Sequence, residues 1–181
     1  MYEFKFSLSD NDYLEFLKYN SFNNPLNKKV MLIFRFSFPI IALLFVIYFM
    51  LDWESFFSKN KIIYNMFYII FAVVWVIAYK PFMVLSLKWQ LKSMKKHGKL
   101  PYNKETVLRF DEDSYTETTP QTEVKTKYTN IERIVKSDKF ICFYINSMQA
   151  TIVPLSIFKS EEYSNYFWDF INTKWNDAKK I

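Results

Sequence analysis

Residues 30–51 read VMLIFRFSFPIIALLFVIYFML and residues 62–79 read IIYNMFYIIFAVVWVIAY. The first stretch is 22 residues long with one charge, Arg35, near its start; the second is 18 residues with none. A bilayer core of about 30 Å takes about 20 such residues per helix. Ten residues, 52–61, separate the two. The pair therefore predicts a transmembrane helical hairpin, and the rest of the chain predicts soluble parts held at a membrane surface.

Working outward, the charge is uneven. The chain carries a net +6, yet residues 80–99 alone hold Lys80, Lys88, Lys92, Lys95, Lys96 and Lys99 with no acid. Lys28, Lys29 and Arg35 flank the start of the first span. Basic residues beside spans stay on the cytoplasmic side. The asymmetry predicts both termini in the cytoplasm and the 52–61 loop outside, despite Lys59 and Lys61. Arg35 lies close enough to the end of its span to reach the headgroups by snorkelling. Trp53, Phe56 and Phe57 on one side and Trp75 and Tyr79 on the other fit aromatic belts. Residues 1–29 are mixed and polar with no small-residue cleavage site, so the first span reads as an uncleaved anchor.

Before the hairpin, Tyr2, Phe4, Phe6 and Leu8 alternate with Glu3, Lys5 and Ser7, a half-buried strand pattern. Ser9 or Asp10 then caps a helix to about Asn20, and Asn23, Asn24 and Pro25 break it. These 29 residues are too few to fold alone. They must dock on the membrane, the hairpin or the later domain.

After the hairpin, Pro81 kinks or restarts the helix. Val84, Leu87, Leu91 and Met94 recur at helical spacing, with Lys88, Lys92, Lys95 and Lys99 on another face. Gly98 is a C-cap and Pro101 a stop. Residues 80–99 thus predict a basic juxtamembrane helix.

From residue 104 the rhythm changes to short strands, at 106–110, 114–118, 122–128, 131–136, 140–145 and 150–154. Turn signals at 111–113, 119–121 and 137–139 separate them. Ser160 caps a last helix with Glu161 and Glu162 in its first turn. Tyr163, Phe167, Phe170, Ile171 and Trp175 form its apolar face. The fold class is membrane α+β: a helical hairpin, then a small antiparallel barrel or curled sheet closed by a C-terminal helix.

Three motifs resemble the YcxB-like family of bacterial membrane proteins. They are Val107-Leu-Arg-Phe-Asp-Glu-Asp113, Tyr128-Thr-Asn-Ile131-Glu-Arg-Ile134 and Ile152-Val-Pro154-Leu-Ser-Ile-Phe158. The opening, Phe6-Ser-Leu-Ser-Asp-Asn-Asp12-Tyr13-Leu14, is similar too. Leu155 stands where that family often has a basic residue, and Ser114 where it often has glycine. The resemblance implies two spans, a pleckstrin-homology-like (PH-like) domain over 104–181 and no established activity. It also implies residence in a bacterial inner membrane.

The chemistry-bearing residues are few. One glycine excludes phosphate-cradling loops, dinucleotide fingerprints and nucleophile elbows. His97, the only histidine, sits among lysines at a helix end. Cys142, the only cysteine, excludes an internal disulfide and reads as a small buried hydrophobe. Asp111, Glu112 and Asp113 read as a solvated turn, and Ser37 and Asn65 as helix-packing hydrogen bonds. No catalytic, metal or cofactor residues are expected, and no enzyme. Residues 104–181 are slightly acidic, which speaks against nucleic acid.

The candidate site is Lys88, Lys92, Lys95, Lys96 and Lys99, meeting anionic lipid headgroups. The expected partners are the bilayer and a protein partner or a second copy. The expected function is a non-enzymatic membrane protein presenting a cytoplasmic PH-like domain for interaction. An oligomeric channel or transporter subunit is the alternative, with Arg35 as the only charge in the spans.

Overall fold

The computed structural model describes residues 2–50, 59–98, 100, 102, 105–146 and 149–180. Trp53, Phe56, Phe57, Lys99 and Pro101 lie outside the described residues. The chain divides into two units, residues 17–93 and residues 1–16 with 94–181.

The first unit is the hairpin. Asn24 is buried and its side-chain amide donates to Asn20 Oδ1 at 2.6 Å, closing the turn that ends α1 (Asp10–Phe22). Pro25 then starts α2 (Pro25–Met50), at the one helical position where its missing N–H costs nothing. α3 (Lys59–Lys96) is 38 residues long. At 1.5 Å per residue it spans about 57 Å, well beyond a hydrocarbon core of about 30 Å. Pro39 and Pro81 are both held inside their helices. Within the apolar windows of α2 and α3 only 17% of the residues are buried. A core helix of a soluble protein would be mostly buried; these two are long and apolar enough to cross a membrane and turn their apolar side chains outward.

α2 and α3 pair antiparallel. The Tyr79 hydroxyl donates to the Met31 sulfur at 3.2 Å, and Phe38–Trp75 and Phe45–Tyr68 ring centroids lie 4.7 and 5.7 Å apart. Ala42 and Ala72 are buried at the contact, where small side chains let helices approach. Ser37 Oγ donates to the Phe34 carbonyl of its own helix at 3.1 Å, not across the hairpin. Asn65 is buried, and its Oδ1 has no hydrogen-bond partner among the described residues.

The second unit holds two antiparallel sheets and one helix. β1 (Tyr2–Phe6), β2 (Thr106–Phe110), β3 (Ser114–Thr118) and β4 (Glu123–Lys127) form the first sheet in that order. β5 (Arg133–Lys136), β6 (Phe140–Tyr144) and β7 (Ala150–Pro154) form the second. Among the described residues no ladder joins the sheets, so the barrel is not closed. The hairpin turns fall on the expected segments: Asp111 N–H to Ser114 O at 2.9 Å, Thr119 N–H to Thr122 O at 2.8 Å, and Ser137 N–H to Phe140 O at 2.9 Å. Residues 128–130, the end of one expected strand and the gap before the next, make a 3-10 turn instead, and β4 ends at Lys127. The buried Tyr128 anchors it, its hydroxyl donating to the Asp111 carbonyl at 2.9 Å.

The N-terminal segment docks on this domain as an edge strand. β1 pairs with β2 in the register Tyr2↔Phe110 to Phe6↔Thr106, across about a hundred residues of chain. Its alternation sends Phe4 and Phe6 into the core and Glu3 and Lys5 to solvent. α4 (Glu161–Ala178) closes the core. Ser160 Oγ accepts from the Tyr163 N–H at 3.1 Å, the expected N-cap. Phe167 and Ile171 are wholly buried. The Phe167 ring lies 5.0 Å from both Phe4 and Phe110 and 5.4 Å from Phe158, centroid to centroid. Trp175 Nε1 donates to the Ile131 carbonyl at 2.9 Å, tying the end of α4 to the segment just before β5.

Candidate functional site

The basic residues ride on α3. Lys88, Lys92, Lys95 and Lys96 are all exposed. At 3.6 residues per turn they cover an arc of about 100°. Leu87 and Val84 are half-buried and Leu91 is buried, on a neighbouring arc, while Met94 is 36% exposed. α3 runs without interruption from the apolar window into this basic end and stops at Lys96. His97 N–H bonds back to the Met94 carbonyl at 3.2 Å, and Gly98 follows at φ 69°, the left-handed turn that a glycine ends a helix with.

One of these lysines is already engaged. Lys95 Nζ lies 2.6 Å from Asp10 Oδ2, at the first turn of α1. Both groups are about half exposed (58% and 45%), so the pair contributes about 0.2–1 kcal/mol. Asp10 Oδ1 also accepts from the Tyr102 hydroxyl. The Tyr102 ring packs on Tyr13 at 5.1 Å between centroids, and Tyr13 on Phe16 at 5.8 Å. Burial, with the Asp10 carboxylate, pushes the Tyr102 hydroxyl up to about 12. It stays a neutral donor at physiological pH.

These aromatic side chains are part of the lining of a cleft of about 470 Å³ in the sheet domain. Glu117 and Val124, from β3 and β4, and residues 150–152 of β7 line it as well. A hydrogen-bonded chain fixes the polar floor. The Thr151 hydroxyl donates to Glu117 Oε2 at 3.0 Å. That uses its single proton, so the buried Tyr115 hydroxyl, also 3.0 Å from Thr151 Oγ1, is the donor in the other contact. Burial raises the Tyr115 hydroxyl, which keeps its proton. Glu117 Oε1 has no hydrogen-bond partner among the described residues. A volume of this size suits a small ligand or a side chain of a partner.

The other chemistry-bearing residues do not converge. Cys142 is fully buried in β6, and burial pushes its thiol up to about 12. Such a thiol is a structural hydrophobe and no nucleophile at pH 7. Asp111, Glu112 and Asp113 sit in the β2–β3 turn, with Glu112 and Asp113 exposed. Among the described residues no group of three or more His, Cys, Asp or Glu side chains is placed to hold a metal ion.

Four of the five expected lysines are exposed on α3, and the cleft has no counterpart in the sequence pattern. Tyr13, Tyr102, Glu117 and Thr151 come from four separate segments that only the tertiary fold brings together. The one local signal was Glu117 in an otherwise Thr/Tyr-rich strand.

Fold and site together define a helical hairpin of membrane-spanning length joined to a two-sheet antiparallel domain with a C-terminal closing helix. Residues 110–171, about a third of the chain, match the family model described as YcxB-like protein. The match runs from the end of β2 to Ile171 in α4; the opening motif and the hairpin lie outside it. No curated protein and no solved structure matches the chain.

Proposed function

We propose that this protein is a non-enzymatic, membrane-anchored interaction module. Its YcxB-like domain is of the PH-like kind, held on the cytoplasmic side of a bacterial inner membrane by the hairpin. The observation that carries the reading is α3 itself. One helix of 38 residues is apolar over residues 62–79 and basic at its last turns. Where the exposed face of such a helix lies against the bilayer, each lysine within a Debye length, about 8 Å, of an anionic surface is worth about 1 kcal/mol. The two antiparallel sheets and the closing α4 support the PH-like assignment. The buried, proton-bound Cys142 and the helix-end position of His97 support binding over catalysis.

The test uses the full chain, because a fragment beginning at residue 80 would lack β1 and with it Phe4 and Phe6 of the core. The protein is reconstituted in mixed phosphatidylglycerol and phosphatidylcholine, re-extracted, and its retained lipid quantified by mass spectrometry. Enrichment in the anionic lipid is expected. It should fall when Lys88, Lys92, Lys95 and Lys96 are changed to Gln, and fall again at high salt. Equal retention of both lipids, or enrichment unchanged in the Gln variant, would reduce the lysines to topology signals.

A further inference from the structure

We propose that the cleft between β3–β4 and β7 is a binding site for an organic ammonium ion carried on a small apolar body. This inference stands on the sheet domain alone and is independent of the membrane reading.

Three observations converge on that class of ligand. The first is charge. Among the described lining residues Glu117 supplies a carboxylate and no lysine or arginine answers it, although the chain as a whole carries a net +6. The second is pre-organisation. Tyr115 donates to Thr151 and Thr151 donates to Glu117 Oε2; among the described residues Oε1 has no partner and can accept from an incoming N–H. The carboxylate is therefore held in place before a ligand arrives, which lowers the ordering cost of binding. The third is the aromatic lining. Tyr13, Phe16 and Tyr102 pack together, and Asp10, itself paired with Lys95, accepts from the Tyr102 hydroxyl. Aromatic faces attract cations and cover apolar carbon, while they offer nothing to an anion. A carboxylate and tyrosine and phenylalanine rings lining one cleft suit a cation with a hydrocarbon body. A neutral molecule of the same shape meets only half of the site.

Such an ammonium reaches the cleft either as a free amine or as a lysine side chain of a partner. The experiment separates the two. The full chain, with isoleucine and alanine methyl groups labelled, is titrated in detergent and followed by NMR at Ile152, Ile145 and Ala150, which line the cleft. The probes are phenethylammonium, its neutral counterpart 2-phenylethanol, the anion 3-phenylpropionate, and an acetylated, amidated Phe-Lys dipeptide.

Saturable shifts at these methyls with phenethylammonium are expected, with a dissociation constant on the order of a millimolar. The alcohol should bind about tenfold more weakly or worse, and the anion should leave the methyls unmoved. Glu117→Gln keeps an acceptor for Thr151 but removes the charge, and should weaken the ammonium about tenfold or more. Val124→Trp, at a position 52% exposed and tolerant of bulk, should block the cleft without disturbing the core. Dipeptide binding with no response to phenethylammonium assigns the ammonium to a protein partner; a response to both admits free amines. Equal binding of the alcohol, ammonium binding unchanged in both variants, or no shift with either cation overturns the proposal.

Discussion

Phe4→Ala is the sharpest probe of the fold. Phe4 is 8% exposed, and its ring lies 5.0 Å from Phe167, 5.1 Å from Phe158 and 6.2 Å from Phe110. Truncating a buried phenylalanine costs about 3–5 kcal/mol. β1 is an edge strand that can relax toward the gap, so about 3 kcal/mol is the expected loss. That corresponds to a roughly 150-fold rise in the open population. Hydrogen exchange of the full chain in detergent reads it directly, because the amides of β2 and β3 exchange through opening of this unit. Residues 106–118 should exchange about a hundredfold faster in the variant, although they lie a hundred positions away in sequence. Lys5→Ala, on the solvent face of the same strand, should leave them unchanged. Unaltered exchange of β2 in Phe4→Ala would refute the docking of the N-terminal strand on this domain.

Other perturbations address single interactions. Ser160→Ala removes the N-cap of α4 and should cost about 1 kcal/mol in denaturant unfolding of the sheet domain. Trp175→Phe, which loses the bond to the Ile131 carbonyl, should cost a similar amount, with increased exchange at the C-terminal turns of α4. Alkaline pH should weaken the domain. The Cys142 thiol is raised from 9.0 to about 12 in the folded state, so above pH 9 the unfolded chain releases a proton that the folded chain keeps. Its contribution is complete below pH 9 and is lost as pH rises toward 12, on the order of 1 kcal/mol per pH unit. Cys142→Ala should flatten that part of the pH–stability curve, and an unchanged curve would contradict the assigned cause.

The strands of the sheet domain were readable because their signals are local. Asp111-Glu-Asp113, Thr119-Pro-Gln121 and Ser137-Asp-Lys139 break the chain where the ladder reverses, and apolar alternation marks the residues between. The hairpin was readable for the same reason, since span length depends on a continuous apolar run. Pairing is different. Tyr2–Phe6 reads as a strand from its own alternation, yet nothing in that alternation names Thr106–Phe110 as its partner. Tyr128 reads as the end of a strand, but its hydroxyl finds the Asp111 carbonyl and the backbone turns there. The cleft was hidden because its carboxylate, hydroxyls and rings each look like ordinary solvent-face residues in their own segments.

Topology tests the central claim most directly. Cys142 is buried with its thiol held protonated, so the natural chain is silent toward maleimides and single cysteines can be added without removing it. Ser58→Cys places a thiol between the two apolar stretches, and Lys159→Cys places one at an exposed position just before α4. With a membrane-impermeant maleimide on intact cells, position 58 should label and position 159 should not, and both should label once the membrane is opened. Labelling of position 159 in intact cells, or a position 58 that labels only after permeabilisation, would contradict a cytoplasmic domain anchored by a membrane hairpin.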